Sequence, residues 1–374
     1  MSKVAIVRCE SYEPTAVQEA VDRLFGLLEL PSEIFSPGET ILLKPNLLGA
    51  APPERAVTTH PEIFGAVARK LLAAGVRVSY GDSPAVISMS KAAKTSGIAG
   101  VASALGIPEA DFVSSRTVSA PPGSLITRFP IAAGALDASG IVSISKLKTH
   151  GFTVMTGAIK NLFGCIPGLK KAEFHATLPD PRQFGRMLVD LNRTIMPRLH
   201  IMDAIVAMEG NGPGSGNPRS LNCILGSIDP AALDSVAARL IDLDPESLEY
   251  LVVAESSGLG HIRNVTLVGD PIEAFKVTHF DRPAHSAGSR KMFLVPVARR
   301  FILPRPIIRK DVCVRCGQCV RICPVTPKAL NMDAIGDYPE YRYERCIRCY
   351  CCQEVCPEGA IRIRVPILGK LLKL

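Results

Sequence analysis

Tryptophan is absent from the 374 residues, and aromatic residues make up only 5%. A nucleic-acid surface built on stacked aromatic rings is therefore not expected. No apolar run approaches the ~18–20 residues that span a bilayer, so no membrane span is expected. The N-terminal MSKVAIVRCESYEP has an apolar stretch of four residues, where a signal peptide needs roughly 7–15. A cytoplasmic protein is the expectation. Cysteine is nearly missing from the first 312 residues, which hold only Cys9, Cys165 and Cys223. That scarcity excludes a secreted disulfide framework across the chain.

What is present is ordinary for a folded protein: 47% hydrophobic and 21% charged residues. Disorder, collagen and coiled coil are excluded by that balance. At roughly 150 residues per domain, the length suggests about two to three domains. The net charge of +8 fits anionic substrates or acidic partners.

Residues 1–275 alternate between strand and helix patterns. Short apolar runs at 3–8, 40–46, 76–84, 140–145, 199–206, 222–227 and 264–270 read as strands. Apolar residues at helical spacing mark helices at 14–30, 60–75, 88–105, 182–195, 230–241 and 245–258. The alternation predicts an α/β domain, a mostly parallel sheet with helices on both faces. Residues 276–310 break the pattern. Within them, 290–310 hold seven basic residues, three prolines and no acid. Proline excludes one continuous helix there, so the segment reads as a basic linker or docking arm. Residues 366–374 read as a tail.

Nine cysteines crowd between Cys313 and Cys356. CVRCGQCVRICP begins at Cys313 and CIRCYCCQEVCP begins at Cys346; each is C-x2-C-x2-C-x3-C-P. Paired zinc sites would require neither the third Cys nor the Cys-Pro ending. The duplicated motif closely resembles the bacterial two-cluster ferredoxins over about residues 308–365. The resemblance implies a small α+β domain, drawn at 311–365, that holds two 4Fe–4S clusters. In that family the fourth Cys of each run ligates the other cluster. It therefore implies Cys313, Cys316, Cys319 and Cys356 for one cube, and Cys346, Cys349, Cys352 and Cys323 for the other. Cys351 is a spare thiol that reads as a space filler. The module is close to charge-neutral, unlike many free ferredoxins, and so reads as an internal relay.

In the large domain, polar residues recur where strands end. They are Lys44 and Asn46, Asp82 and Ser83, then Lys146, Lys148 and His150, and finally Glu209, Asn211, Gly212 and Gly214. Lys160, Asn161 and His175 lie in the intervening loops. Open α/β sheets bind ligands beyond the carboxyl ends of their strands. The lysines can neutralise an anion, and the histidines can exchange protons near neutral pH. Lys148, His150, Lys160 and His175 are the candidate catalytic set, and the others are candidate substrate ligands. The glycines 210–216 precede a strand and not a helix, which argues against a dinucleotide fingerprint.

KLKTH, TGAIKNLFG, EGNGPGSG and DPAALDSVAARL resemble the iron–sulfur protein family named for domain of unknown function number 362, over about residues 4–270. The resemblance implies an α/β domain with a redox role. A more distant similarity, in the two-lobed α/β build alone, is to nickel-dependent lactate racemases, whose metal-site residues find no match here. Three functions follow. The first is an oxidoreductase passing electrons through two 4Fe–4S clusters to a small anionic substrate, fed by a soluble ferredoxin or another redox protein. The second is a non-catalytic electron-transfer subunit. The third is an isomerase-like enzyme with structural clusters.

Overall fold

A computed structural model describes residues 2–282, 302–334 and 336–368. Ten strands lie before residue 270: β1 (Ser2–Arg8), β2 (Thr40–Lys44), β3 (Arg77–Tyr80), β4 (Ser115–Ser119), β5 (Arg128–Ala132), β6 (Gly140–His150), β7 (Val154–Thr156), β8 (Leu199–Glu209), β9 (Asn217–Ser227) and β10 (Val265–Gly269). Eight of them form one sheet, in the order β10-β1-β9-β8-β6-β2-β3, with β7 on β6. The pairs β1–β10, β2–β3, β2–β6 and β6–β8 are parallel. β9 runs antiparallel between β8 and β1, and β7 antiparallel to β6. The sheet is thus mostly parallel, as the alternating pattern predicts.

Side chains alternate across each strand, so one strand feeds two cores. Val4, Ile6 and Leu42 face one, and Ala5, Val7, Ile41 and Leu43 face the other. Helices Pro181–Ile195 and Pro230–Leu240 cover the first core. Helices Pro14–Leu28 and Pro61–Ala73 cover the second. Asp180 and Asp229 each accept two backbone N–H groups at their helix starts, with Pro in the first turn.

Several boundaries differ from the sequence pattern. The stretch 88–105 is two helices, Met89–Thr95 and Ile98–Ala104, broken at Gly97, whose φ is +81°. A β4–β5 hairpin fills 115–132, where the pattern gave no element. β6 runs on through His150, although its last turns carry two lysines and a histidine. All three are buried, and each has a hydrogen-bond partner, as shown below. β8 likewise runs to Glu209, so the glycines 210–216 are the turn between β8 and β9.

Among its described residues the C-terminal module has four short strands: β11 (Arg305–Ile308), β12 (Leu330–Asn331), β13 (Glu340–Tyr341) and β14 (Ile361–Arg364). β11 pairs with β14 and β12 with β13, both antiparallel. The module therefore starts inside the segment read as a linker. At the other end of that segment, Phe280 is buried in the large core. The basic stretch from 283 to 301, and tail residues 369–374, lie outside the described residues. The module packs directly on the large domain. Tyr350 and Ile363 join the main core, and Gln353 is buried between the two.

Candidate functional site

The cysteines of the module gather as two sets of four. Cys313, Cys316, Cys319 and Cys356 line one cavity of about 360 Å³. Cys323, Cys346, Cys349 and Cys352 line a second of about 350 Å³. None of the twelve cysteines is in a disulfide. Among the described residues, no three His, Cys, Asp or Glu side chains close on a single point, as one metal ion would need. Four thiols lining one pocket fit a 4Fe–4S cube, and each set mixes one Cys from one run with three from the other. The first cavity is the outer one, with Cys316 exposed. The second is the inner one. Its Cys349 packs with Cys351, Ala172, Ala85 and Val86 at the face of the large domain.

Between the two domains lies a cleft of about 630 Å³. The large domain lines it with Asn46, Asp82, Ser83, Lys160, Asn161, Lys171 and His175, and the module with Ile322, Cys351, Glu354 and Val355. The carboxyl ends of parallel β2 and β3 bring Asn46, Asp82 and Ser83 to this edge. The helix Ala158–Asn161 brings Lys160 and Asn161. Asp234 accepts the N–H groups of Ala158 and Ile159 at 2.6 and 3.1 Å, and so fixes that helix.

A network of tied groups stands behind the cleft. Lys44 Nζ donates to Asp82 Oδ1 at 2.8 Å and to the Pro45 carbonyl at 3.1 Å. Gly164 closes over this pair, and a side chain there would collide with Asp82 and Lys44. Lys148 Nζ donates to Asn46 Oδ1 at 2.7 Å and to the Val57 carbonyl at 2.6 Å. Asn46 in turn donates to Asn161 Oδ1 at 3.2 Å. His150 Nδ1 accepts from the N–H of Phe152 and of Thr153, which leaves its proton on Nε2. Nε2 lies 2.9 Å from Glu354 Oε1, but the oxygen sits off the N–H direction.

The groups facing the cleft are unevenly tied. Lys171 donates to the carbonyls of Ser83 and Ile166, at 2.6 and 2.7 Å. Burial pushes its ammonium down to about 7, so it exchanges its proton at neutral pH. Lys160 is pushed down by burial and held up by Glu354. His175 stacks on Phe184 at 4.3 Å, and its Nδ1 is buried with no protein partner. Burial drives His175 to about 3 and His150 to about 4, so both imidazoles are neutral at pH 7. Burial opposes charge on Glu354, yet the charges around it, the Lys160 ammonium among them, outweigh it and hold the carboxyl low. With both imidazoles neutral, Lys160 is the cation that keeps it ionised.

The structure thus brings Asn46, Asp82, Ser83, Lys160, Asn161 and His175 onto one cleft, with Lys44, Lys148 and His150 directly behind it. Five sequence candidates lie elsewhere or are otherwise engaged. Lys146 points into a separate network, bonding Asp203 and Tyr12, each at 2.8 Å. Glu209 accepts the Asp281 N–H. Asn211 donates to the Ile361 carbonyl and accepts from Gln353 of the module. Gln353 also donates to the Gly212 carbonyl. Gly214 has the Glu354 backbone against it, where a Cβ would meet the carbonyl oxygen at 2.9 Å. The glycine-rich turn is a seat for the module, and its small residues admit the neighbouring chain.

Lys171 and Glu354 are site residues that the strand-end reading passed over. Lys171 sits on the helix Lys170–Thr177, for which the periodicity gave no sign. Glu354 lies inside a cysteine motif, where the ligand pattern draws all attention. Its place before Val355 and Cys356 was the available signal.

The family model described as domain of unknown function (DUF362) matches residues 41–239. That of a 4Fe-4S dicluster domain matches 305–357. The "Thylakoid-associated protein sll1697" of Synechocystis sp. is 36% identical over 260 residues, covering 69% of this chain and 80% of that protein. Among solved structures, the lactate racemase apoprotein of Thermoanaerobacterium thermosaccharolyticum superposes with a TM-score of 0.40 at 12% identity. It covers 63% of this chain and 55% of its own. A structural-genomics protein of Thermotoga maritima gives 0.36 at 14%, over 68% and 61%. No described helix is long and apolar enough to cross a membrane.

Proposed function

The chain belongs to the DUF362 family and carries a 4Fe–4S dicluster domain, and from that premise we propose that it is an iron–sulfur oxidoreductase acting on a small anionic substrate. One observation carries the reading. The helix Cys351–Glu354 belongs to the second cysteine run and is also a wall of the cleft. An electron relay is of use only beside its acceptor, and here the inner cysteine set adjoins the polar space.

Both cysteine sets are filled in this reading, and each cluster supplies single electrons when bound. Lys160 takes the negative group of the substrate, since it faces the cleft without a hydrogen-bond partner in the described residues. Lys171 holds an exchangeable proton at Nζ. His175, neutral and without a partner at Nδ1, hydrogen-bonds a polar group of the substrate. Asn46, Asp82, Ser83 and Asn161 orient it. Lys148 is a positioning residue that fixes Asn46, and His150 abuts Glu354. Phe163, Leu47 and Val355 line the remainder and limit water. The electron donor is a soluble ferredoxin or a comparable redox protein.

The test is reoxidation. Protein prepared without oxygen is reduced with dithionite, freed of excess, and mixed with 2-oxo acids, unsaturated carboxylates and organic phosphates. The reading expects one class to restore the oxidised visible spectrum, and His175→Gln to prevent it with the iron retained. If every class leaves the spectrum reduced, the enzyme reading fails. A cytoplasmic location is part of the proposal. The name of the Synechocystis relative describes association with thylakoids, and separating cytosol from membranes decides which holds for this chain.

A further inference from the structure

The two cysteine cavities are close in volume and donor set but differ in the hydrogen bonds offered to sulfur. Backbone groups reach sulfur in both: Ala360 N donates to Cys356 Sγ at 3.2 Å in the outer cavity, and the Arg348 backbone bonds Cys346 in the inner one. The inner cavity is lined by two tyrosines, Tyr341 and Tyr350. Tyr350 turns its hydroxyl away and donates to the Pro304 carbonyl at 3.1 Å. Tyr341 does the opposite, with its oxygen 3.3 Å from Cys352 Sγ.

Nothing about Tyr341 is loose. Its backbone pairs with Leu330 across β12 and β13. Its ring stacks on Tyr343 with centroids 5.1 Å apart. Tyr343 is itself pinned, donating to the Pro306 carbonyl at 2.8 Å. A ligating thiolate carries no proton, so the Tyr341 hydroxyl must be the donor and the sulfur the acceptor.

We propose that the Tyr341 hydroxyl is a tuning donor that raises the reduction potential of the inner iron–sulfur site relative to the outer one. The inference rests on the reading that both sites hold clusters. Reduction adds negative charge to a cluster and its thiolates. A hydroxyl aimed at one sulfur stabilises that charge more in the reduced state, so the potential rises. Burial acts in the other direction. Cys346 and Cys349 are each 8% exposed; in the outer set Cys319 is as buried, but Cys316 is exposed, and a dry site disfavours added charge. Without the Tyr341 hydroxyl, the site beside the cleft would be the harder to reduce. Tyr341 offsets that handicap and favours the inner end as the place where an electron rests.

The test is an EPR-monitored redox titration of the full-length protein prepared without oxygen. Iron and sulfide are counted first, because about eight of each shows both sites filled; a count near four would defeat the two-cluster premise and not the role of Tyr341. At full iron, Tyr341→Phe is expected to move one of two reduction steps to lower potential and leave the other in place. Tyr350→Phe should move neither through a sulfur bond. Replacing Tyr341 with 3-fluorotyrosine, a stronger donor of the same shape, should move that same step upward. Full iron with both steps unmoved in Tyr341→Phe, or both moved equally, would overturn the proposal. If the Phe variant loses iron, the fluorotyrosine protein decides alone: an upward shift supports the proposal and no shift overturns it.

Discussion

Lys146, a buried cation, and Lys160, a half-buried one, both lie near the carboxyl end of the central sheet, and they have opposite surroundings. Lys146 is closed on every side. Its ammonium meets Asp203 and the Tyr12 hydroxyl; Tyr12 also donates to Asp203 and accepts the Val206 N–H. Asp203 takes the His60 N–H as well, and the His60 ring stacks on Tyr12 at 3.6 Å. Lys160 looks across an open cleft toward a carboxylate supplied by another domain, with an unpartnered imidazole beside it. Burying a charge is costly unless it is paired and bonded. The first network meets that cost internally and has nothing left to offer a ligand. The second leaves donors uncommitted, and that is what a binding site requires.

The sharpest way to break this contrast is to remove each lysine. Lys146→Met strands Asp203 as a buried, uncompensated charge, and should cost about 3–5 kcal/mol in a denaturant titration. Lys160→Met should cost clearly less than this, because its ammonium makes no hydrogen bond among the described residues and Glu354, 14% exposed at the cleft, keeps access to water. Anion binding should vanish in the second variant and survive in whatever fraction of the first remains folded. Equal destabilisation by both would erase the distinction.

A smaller effect is expected at Tyr12. Tyr12→Phe leaves the Val206 N–H and one Asp203 oxygen each short of a partner, and should cost about 1–3 kcal/mol in the same titration. The cleft counterpart, His175→Gln, should cost less than this, since its Nδ1 already lacks a protein partner.

The pH dependence sharpens the comparison further. Burial lowers Lys171 from the ordinary 10.5 to about 7. Between those values the unfolded chain carries a proton that the folded chain lacks. Stability attributable to this group therefore rises as pH climbs through that window, and the penalty for its charged form is complete below about 7. Anion binding should show the reverse, weakening above about pH 7 as the ammonium discharges. Lys171→Met should flatten both slopes; an unchanged stability slope in that variant would show that another group is responsible. The smallest effect is expected for Cys351→Ala. Cys351 is buried beside a ligand and outside both sets of four, so iron content should stay at the wild-type level.

Part of this contrast was readable from the chain. The alternation of strands and helices gave the mostly parallel sheet, and parallel strands gather their carboxyl ends on one edge. That is why Asn46, Asp82 and Lys160 could be named together. The spacing of the cysteines carried the ferredoxin module, since cube ligation dictates a local pattern. Lys146 and Lys148 could not be told apart, because two residues on one strand end differ only in what folds against them. A register shift between them, where β6 meets β8, belongs to the sheet and leaves no mark in the sequence. Glu354 and the seating of Gln353 on the glycine turn are contacts between segments some 140 residues or more apart. Pattern reading along the chain has no access to such pairs.

The account stands most directly on whether the open network binds an anion. Isothermal titration of the anaerobically prepared full chain with inorganic phosphate, and with a panel of small carboxylates, measures this. The account predicts one saturable site per chain for at least one of these anions. It should be lost in Lys160→Met, weakened in His175→Gln, and untouched in a variant of exposed Lys94. Binding that survives Lys160→Met, or its absence across the whole panel, would contradict it.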